Sequence, residues 1–183
     1  VDAHNAGVFP FEGKKAWANH LTGFILRKAD LTIVTNENLA SRVRSAGGRP
    51  FVLPDPLPSI KRPEALMPLK GRRNVLFVCT YASDEPYLEV IRAASMLDPD
   101  ICVYISGNPK GKERSFSHLL PSNAVLTGYL PENEYINLFN AVDAIIDLTT
   151  REDCLVCGAY EAVSLGKPML LSDTKTLKQY FSK

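Results

Sequence analysis

The sequence predicts an α/β protein with a Rossmann-like parallel sheet that is covered by helices on both faces. From Asn74 onward, short apolar runs alternate with segments of helical character. The apolar runs are nearly continuous, as expected for strands buried on both faces of a parallel sheet. The chain has 183 residues, 45% of them hydrophobic, so it has enough apolar side chains to form a core.

Residues 1–56 form a small β/α fragment in this interpretation. Its predicted elements are a helix over 14–28, a strand over 31–36, a helix that starts near residue 36 or 37 and stops at 47–48, and a short strand over 51–55. Two strands are too few to hold a sheet alone. The following residues, 57–73, are rich in proline and basic residues and lack an apolar period, so we predict an interdomain linker.

Residues 74–183 supply the larger predicted domain. Its predicted strands are NVLFVCT, ICVYISG, AVLTGY, AIIDLTT and PMLLSD. Its predicted helices cover about 86–97, 112–120, 132–142 and 157–165, the second of these being the weakest. No closing strand follows residue 173, so we expect a Rossmann-like domain that continues in a longer protein.

Charge and cysteine content exclude several classes of protein. The net charge is +1 and the basic residues are scattered, which argues against a nucleic-acid surface. No apolar run approaches the roughly 20 residues that span a bilayer, and no signal segment opens the chain. The four cysteines do not resemble a secreted disulfide framework, so we expect a cytoplasmic protein with Cys79 and Cys102 in its core.

The two remaining cysteines, Cys154 and Cys157, form a Cys-x-x-Cys pair between a strand and a helix. This arrangement is also typical of thioredoxin-like redox sites. Apolar residues fill the middle of the pair, and no second pair completes four zinc ligands. Redox chemistry and zinc binding are therefore the weaker alternatives to a structural role.

The segment Asp147–Asp173 predicts a ligand site. It places a helix N-terminus beside the carboxyl end of a parallel strand, where open α/β sheets bind phosphorylated ligands. Asp153 precedes the helix, and Glu161 lies eight residues later on a similar face. The first turn offers backbone N–H groups to a diphosphate, those of Leu155, Val156, Cys157 and Gly158. Glu161 is suited to ribose hydroxyls, although it can also serve a core network, and Asp153 can be an ordinary N-cap.

These residues resemble a known family. An acid at Asp153, a turn at Gly158, Glu161-Ala162, Gly166-Lys167-Pro168 and the strand from Met169 are similar to the C-terminal donor domain of group 1 (family 4-like) GT-B glycosyltransferases. Asp153 stands where the family usually has Glu. The segment 124–150 is also similar to this family, with its strand, Gly-aromatic turn, helix and Ala-Asp before a strand.

The resemblance implies a glycosyltransferase that moves a sugar from a nucleoside-diphosphate sugar to a hydroxyl acceptor, in cell-surface polysaccharide or glycoconjugate synthesis. It implies no cofactor and no obligatory metal. Residues 1–56 would be part of the acceptor-side domain, and the rest of that domain could contact a membrane surface. Alternatives are a nucleotide-sugar-binding module without transfer activity and a GT-B sugar-nucleotide epimerase.

Further site residues follow from the resemblance. Gly128 and Tyr129 would hold the nucleobase, Thr80 would either bond a phosphate or cap its own loop, and His4 with Asp153 would act in catalysis. One departure is clear: relatives carry a basic pair after the first strand of this domain, whereas this chain has the acidic TYASDEP. Two nearby cations, Arg151 and Lys167, have no assigned role.

Overall fold

The computed structural model describes residues 1–181, apart from the side chain of Glu12. The strands are β1 (Thr32–Val34), β2 (Pro50–Val52), β3 (Arg73–Phe77), β4 (Ile101–Ser106), β5 (Ala124–Gly128), β6 (Ala144–Asp147) and β7 (Met169–Leu171). The α-helices are α1 (Asn5–Val8), α2 (Ala16–Lys28), α3 (Glu37–Ser45), α4 (Tyr87–Ala94), α5 (Glu113–Phe116), α6 (Glu132–Ala141), α7 (Cys157–Leu165) and α8 (Lys175–Phe181). Short 3₁₀ turns cover Pro10–Gly13 and Ser117–Leu119. None of the helices within residues 1–181 is long and apolar enough to cross a membrane.

The chain divides into two compact units. The first comprises Val1–Pro56, Glu152–Leu155 and the residues from Thr174 on, and the second comprises Leu57–Arg151 and Val156–Asp173. These boundaries differ from the sequence-based ones, which placed everything after residue 73 in one domain.

The first unit is built on a parallel pair of strands. β1 and β2 pair in register from Thr32 opposite Pro50, and the N-terminus extends this pairing because Ala3 donates its N–H to the Ile33 carbonyl. Asn36 caps α3, accepting the Leu39 N–H at 3.0 Å. The buried core of this unit comprises Ala3, Val8, Leu26, Val34, Leu39, Ala40 and Val43.

Polar contacts explain why two distant segments join the first unit. Asn38 donates to the hydroxyl of Thr176, which is fully buried in α8. Arg42 donates to the carboxylate of Asp153 at 2.5 Å, and Asn36 donates to the Asp153 carbonyl at 3.2 Å. These partners lie more than 100 residues apart in sequence, so no local pattern predicts α8 or its place.

The second unit contains a five-stranded parallel sheet in the order β5-β4-β3-β6-β7. Leu76 and Phe77 alternate across β3 and enter different buried clusters, as period-two side chains do. One cluster includes Phe77, Ile91, Ile105 and Phe116; the other includes Leu76, Leu138, Phe139 and Ile145. Cys79 and Cys102 lie in these cores, as predicted. The strand order reverses between β3 and β6, which makes this the topological switch point.

Residues 57–73 are fixed to the second unit. Ser164 donates to the Pro58 carbonyl at 2.8 Å, and Asn137 accepts from the Met67 N–H at 2.9 Å. Ile60 and Leu69 pack against its apolar core. The lack of periodicity therefore reflects irregular backbone that packs on the second unit, and the role of these residues as an interdomain linker stays a prediction.

Candidate functional site

A cavity of about 360 Å³ lies at the carboxyl ends of β3 and β4 in the second unit. Four predicted site residues line it: Thr80, Tyr129, Cys157 and Glu161. It also contacts Ser106, Gly107, Glu132 and Tyr135. The cavity thus lies beside the switch point, where open parallel sheets bind ligands.

A glycine turn at the end of β5 leads into the cavity wall. Gly128 has a φ of 70°, in the left-handed region that favours glycine, and its carbonyl accepts the Gly107 N–H at 3.1 Å. The next residue, Tyr129, is 82% exposed and lines the cavity. An exposed aromatic ring at a cavity mouth can stack on a planar ligand group.

Glu161 is held in the cavity by a tyrosine. Tyr135 on α6 donates its hydroxyl to Glu161 Oε2 at 2.7 Å. Burial raises the pKa of the Glu161 carboxyl, and the Tyr135 hydrogen bond opposes that rise. The arrangement orients a carboxylate that can accept hydrogen bonds from hydroxyl groups.

A second carboxylate, Asp147, ends β6 beneath the start of α7 and was not a sequence-predicted site residue. It is 7% exposed, and its Oδ2 accepts the Gly158 N–H at 2.8 Å. A Cβ on Gly158 would lie 2.6 Å from this oxygen and 2.9 Å from Val78 Cγ2. The prediction that the Gly158 N–H is available to a diphosphate is therefore wrong, because Asp147 occupies it.

The surroundings of Asp147 favour its protonated form. Burial raises the pKa of Asp147 to about 7; the Gly158 N–H lowers it, and the charges of Glu85 and Glu161 add to the rise. Its ordinary pKa is about 4. The site thus contains an acid that changes charge near neutral pH.

We expect this group to give the protein a measurable pH dependence. Because the native state retains a proton that the unfolded state releases, the free energy of unfolding should fall as pH rises from about 4 to about 7. The slope from Asp147 is at most about 1.4 kcal/mol per pH unit. Asp147→Asn should remove it, since asparagine still accepts the Gly158 N–H but does not titrate. Urea unfolding at pH 5, 6, 7 and 8 measures the effect.

A suitable control is Asp143→Asn. The Asn74 N–H and Arg73 hold the pKa of Asp143 below its ordinary value, so this carboxyl does not titrate between pH 5 and 7. That variant should keep the wild-type slope. Equal slopes in the wild type and Asp147→Asn would contradict the assignment.

Thr80 serves its own loop. Its N–H donates to Glu85 Oε2 at 2.8 Å, and its hydroxyl donates to Glu85 Oε1 at 2.9 Å. Of the two roles that the sequence left open for this hydroxyl, the structure shows the loop cap.

The acid before α7 is placed differently from its N-cap prediction. The N-cap residue of α7 is Val156, and no side chain caps it, so the N-cap interpretation of Asp153 is wrong. Asp153 belongs to the first unit, where its carboxylate pairs with Arg42. Leu155 also belongs to that unit and precedes the helix, so its N–H is not a first-turn amide.

The other predicted groups are found in ordinary surroundings. His4 is exposed in the first unit and precedes α1 without a side-chain cap. Lys167 donates to the carbonyls of Asn140 and Val142 at the end of α6, and Arg151 pairs with Asp84 at 3.3 Å. Within residues 1–181, no three His, Cys, Asp or Glu side chains come together as a potential metal site.

No protein-family model matches this sequence, and no curated protein matches it either. Solved structures are similar in fold. Anabaena HepE in complex with UDP-glucose superposes with a TM-score of 0.73 at 13% identity, covering 97% of this chain and 54% of HepE. Sucrose-phosphate synthase from Thermosynechococcus elongatus gives 0.71 at 17% identity, covering 97% and 51%. A TarM variant from S. aureus gives 0.72 at 15% identity, covering 96% and 36%.

These neighbours are GT-B proteins, and the similarity shows the fold. The chain has the α/β architecture of the C-terminal, Rossmann-like half of a GT-B fold, and its smaller unit is formed mostly by Val1–Pro56. The predicted fold is therefore confirmed. The chain spans about half the length of HepE and of sucrose-phosphate synthase.

Proposed function

We propose that this chain is the donor-binding part of a glycosyltransferase that moves a sugar from a nucleoside-diphosphate sugar to a hydroxyl acceptor. The observation that carries the proposal is the cavity at the switch point, where Tyr135 orients the Glu161 carboxylate beside the exposed ring of Tyr129. The structures of HepE with UDP-glucose and with UDP support a nucleotide-sugar as the ligand.

Each group has a proposed role. Gly128 and Tyr129 hold the base, and Glu161 accepts hydrogen bonds from ribose hydroxyls. The start of α7 at Val156 and Cys157 faces the phosphates, because a helix N-terminus favours negative charge. We assign catalysis to His4 and Asp153, with the Arg42 pair holding the Asp153 carboxylate in place.

Placement in a pathway is also part of the proposal. We infer a group 1 enzyme of the cytoplasm that makes cell-surface polysaccharide or glycoconjugate. The acceptor is then a hydroxyl compound, and peripheral membrane contact would come from other parts of the enzyme.

One alternative has a specific observation in its favour. Two carboxylates, Glu85 and Asp147, hold backbone amides near the cavity, and no basic pair faces them from the loop after β3. Weak phosphate neutralisation favours a binding module without transfer activity. A sugar-nucleotide epimerase is the third candidate. Turnover of donor with acceptor, of donor alone, or of neither separates the three.

The binding half of the proposal is tested by titrating the chain with UDP, ADP, GDP and UDP-glucose. We expect saturable heat in calorimetry for at least one nucleotide and a rise in Tm with ligand concentration, since a ligand of the native state stabilises it. Glucose alone is the control and should give neither. Absence of binding by all four nucleotides at millimolar concentration would overturn the proposed function.

A further inference from the structure

The loop between β3 and α4 closes around the carboxylate of Glu85. Oε2 accepts the N–H of Thr80 at 2.8 Å and that of Ala82 at 2.9 Å. The Cys79 thiol also donates to Oε2, at 3.4 Å, and Oε1 accepts the Thr80 hydroxyl at 2.9 Å. Four donors thus surround one anion, which comes from the chain itself.

The backbone of this loop has the form of an anion nest. Tyr81, between the two donating amides, has a φ of 59°, in the left-handed region that non-glycine residues seldom occupy. A left-handed residue between two amides turns both N–H groups toward one point, and such concavities bind phosphate in many proteins. Tyr81 is thus a backbone-strained residue between the two donating amides, and such strain often occurs at binding loops.

Packing around Tyr81 fixes this conformation independently of Glu85. The Tyr81 ring is 2% exposed, stacks on Phe116 at 5.9 Å and meets the Tyr87 edge at 5.3 Å. Lys112 donates its ammonium to the Tyr81 carbonyl at 2.5 Å. These contacts hold Tyr81 in place whether or not Glu85 occupies the nest.

Glu85 has space to leave the nest. Thr80 lines the cavity of about 360 Å³, whereas Glu85 lines a neighbouring groove of about 640 Å³. The nest consequently lies between the cavity and an open groove. A phosphate group arriving from the cavity would meet the same two amides that now hold the carboxylate.

We propose that the Thr80–Ala82 turn is a phosphate-binding nest that the chain keeps closed with its own Glu85 carboxylate. A phosphate and a carboxylate cannot share the two amides, because both are anions and each N–H serves one acceptor at full strength. Glu85 is tethered three residues from Ala82, so its effective concentration at the nest is high. Glu85 therefore determines which ligands place a negative charge at this end of the cavity.

The consequence for donor choice rests on the proposed function, whereas the nest itself does not. In the wild type, a nucleoside diphosphate should bind only slightly more tightly than the monophosphate, because its second phosphate has to displace Glu85 from the nest. Removing the carboxylate should raise the preference for the diphosphate.

The test is a titration of the ¹⁵N-labelled chain with inorganic pyrophosphate, comparing the wild type with Glu85→Ala, Glu85→Gln and Glu89→Gln. Glu89 is exposed on the first turn of α4 and makes the matched charge control. We expect Glu85→Ala to bind pyrophosphate at least tenfold more tightly than the wild type, with shifts at the Thr80 and Ala82 amides. Glu85→Gln, which fills the nest without charge, should gain about threefold, and Glu89→Gln should match the wild type.

The nest proposal would be overturned if both Glu85 variants bound pyrophosphate with wild-type affinity. If the alanine variant does not fold, wild-type affinity in Glu85→Gln alone would overturn it. A gain equal to that of Glu89→Gln would overturn it too, because it would reduce the effect to net charge. Calorimetry with UDP and UMP separates this result from the proposed function. Pyrophosphate binding by Glu85→Ala without nucleotide binding by any variant would support the nest and reject the nucleotide-sugar site. Nucleotide binding without a gain in pyrophosphate affinity in the Glu85 variants would reject the nest and support the nucleotide-sugar site.

Discussion

Replacing Gly107 with alanine should destabilise the second unit by roughly 2–5 kcal/mol. Gly107 follows β4 with a φ of 85°, which L-residues rarely adopt. A Cβ there would collide with the Cys79 carbonyl oxygen and lie 3.3 Å from Thr80 Cα. Both are backbone atoms, so no change of rotamer can relieve the contact. Because Gly107 lines the cavity, the shift would also change its shape.

Gly111→Ala provides the matched control. Gly111 has nearly the same φ, 82°, but nothing lies within 4 Å of the position of its Cβ. Its cost should be limited to the left-handed conformation, about 1–2 kcal/mol. Urea unfolding of both variants at one pH measures the difference. Equal losses would show that conformation alone, and not the approach of the Cys79 backbone, requires glycine at position 107.

The sheet of the second unit could be predicted because its signals are local. Nearly continuous apolar strands such as β4 are buried along most of their length. The apolar run that marks each strand is short, so neighbouring residues alone are enough to recognise it. The bounds of α7 agree with the prediction, 157–165, because Gly166 ends it in the left-handed conformation at φ 63° and Pro168 follows. The helix α8 could not be predicted, because contacts such as that of Asn38 with Thr176 join residues far apart in sequence.

The candidate site was predictable only in part, for the same reason. Motif spacing identified Glu161 and the family resemblance identified Thr80, and both residues line the cavity. Neither could identify the partners of these residues, because Tyr135 lies on another helix and Glu85 takes its role from a strained turn. Sequence spacing suggested that Asp153 and Glu161 lie near one helical face. It could not indicate Arg42, which is 111 residues from Asp153 and holds its carboxylate.

Glu161→Ala should weaken binding of UDP-glucose by about 1.5–3 kcal/mol, which is roughly a 10- to 150-fold rise in Kd. The reason is that hydrogen bonds to a charged acceptor are stronger than neutral ones, and Tyr135 already orients this carboxylate toward one geometry. Glu161→Gln should lose less, because its amide oxygen still accepts one hydrogen bond. Calorimetric titration of each folded variant with UDP-glucose gives the values.

Two further variants separate the contribution of the oriented Glu161 carboxylate from that of net charge. Tyr135→Phe removes the orienting hydroxyl but leaves the carboxylate, so its loss of affinity should fall between those of the wild type and Glu161→Ala. Glu134→Ala removes an exposed acid from the same helix, α6, and should bind as the wild type does. Because burial disfavours the charged form of Glu161 while Tyr135 favours it, removing the tyrosine should also shift the acid limb of a binding–pH profile upward. Unchanged affinity in a folded Glu161→Ala variant would exclude this carboxylate from the donor site, and an equal loss in Glu134→Ala would attribute the effect to net charge.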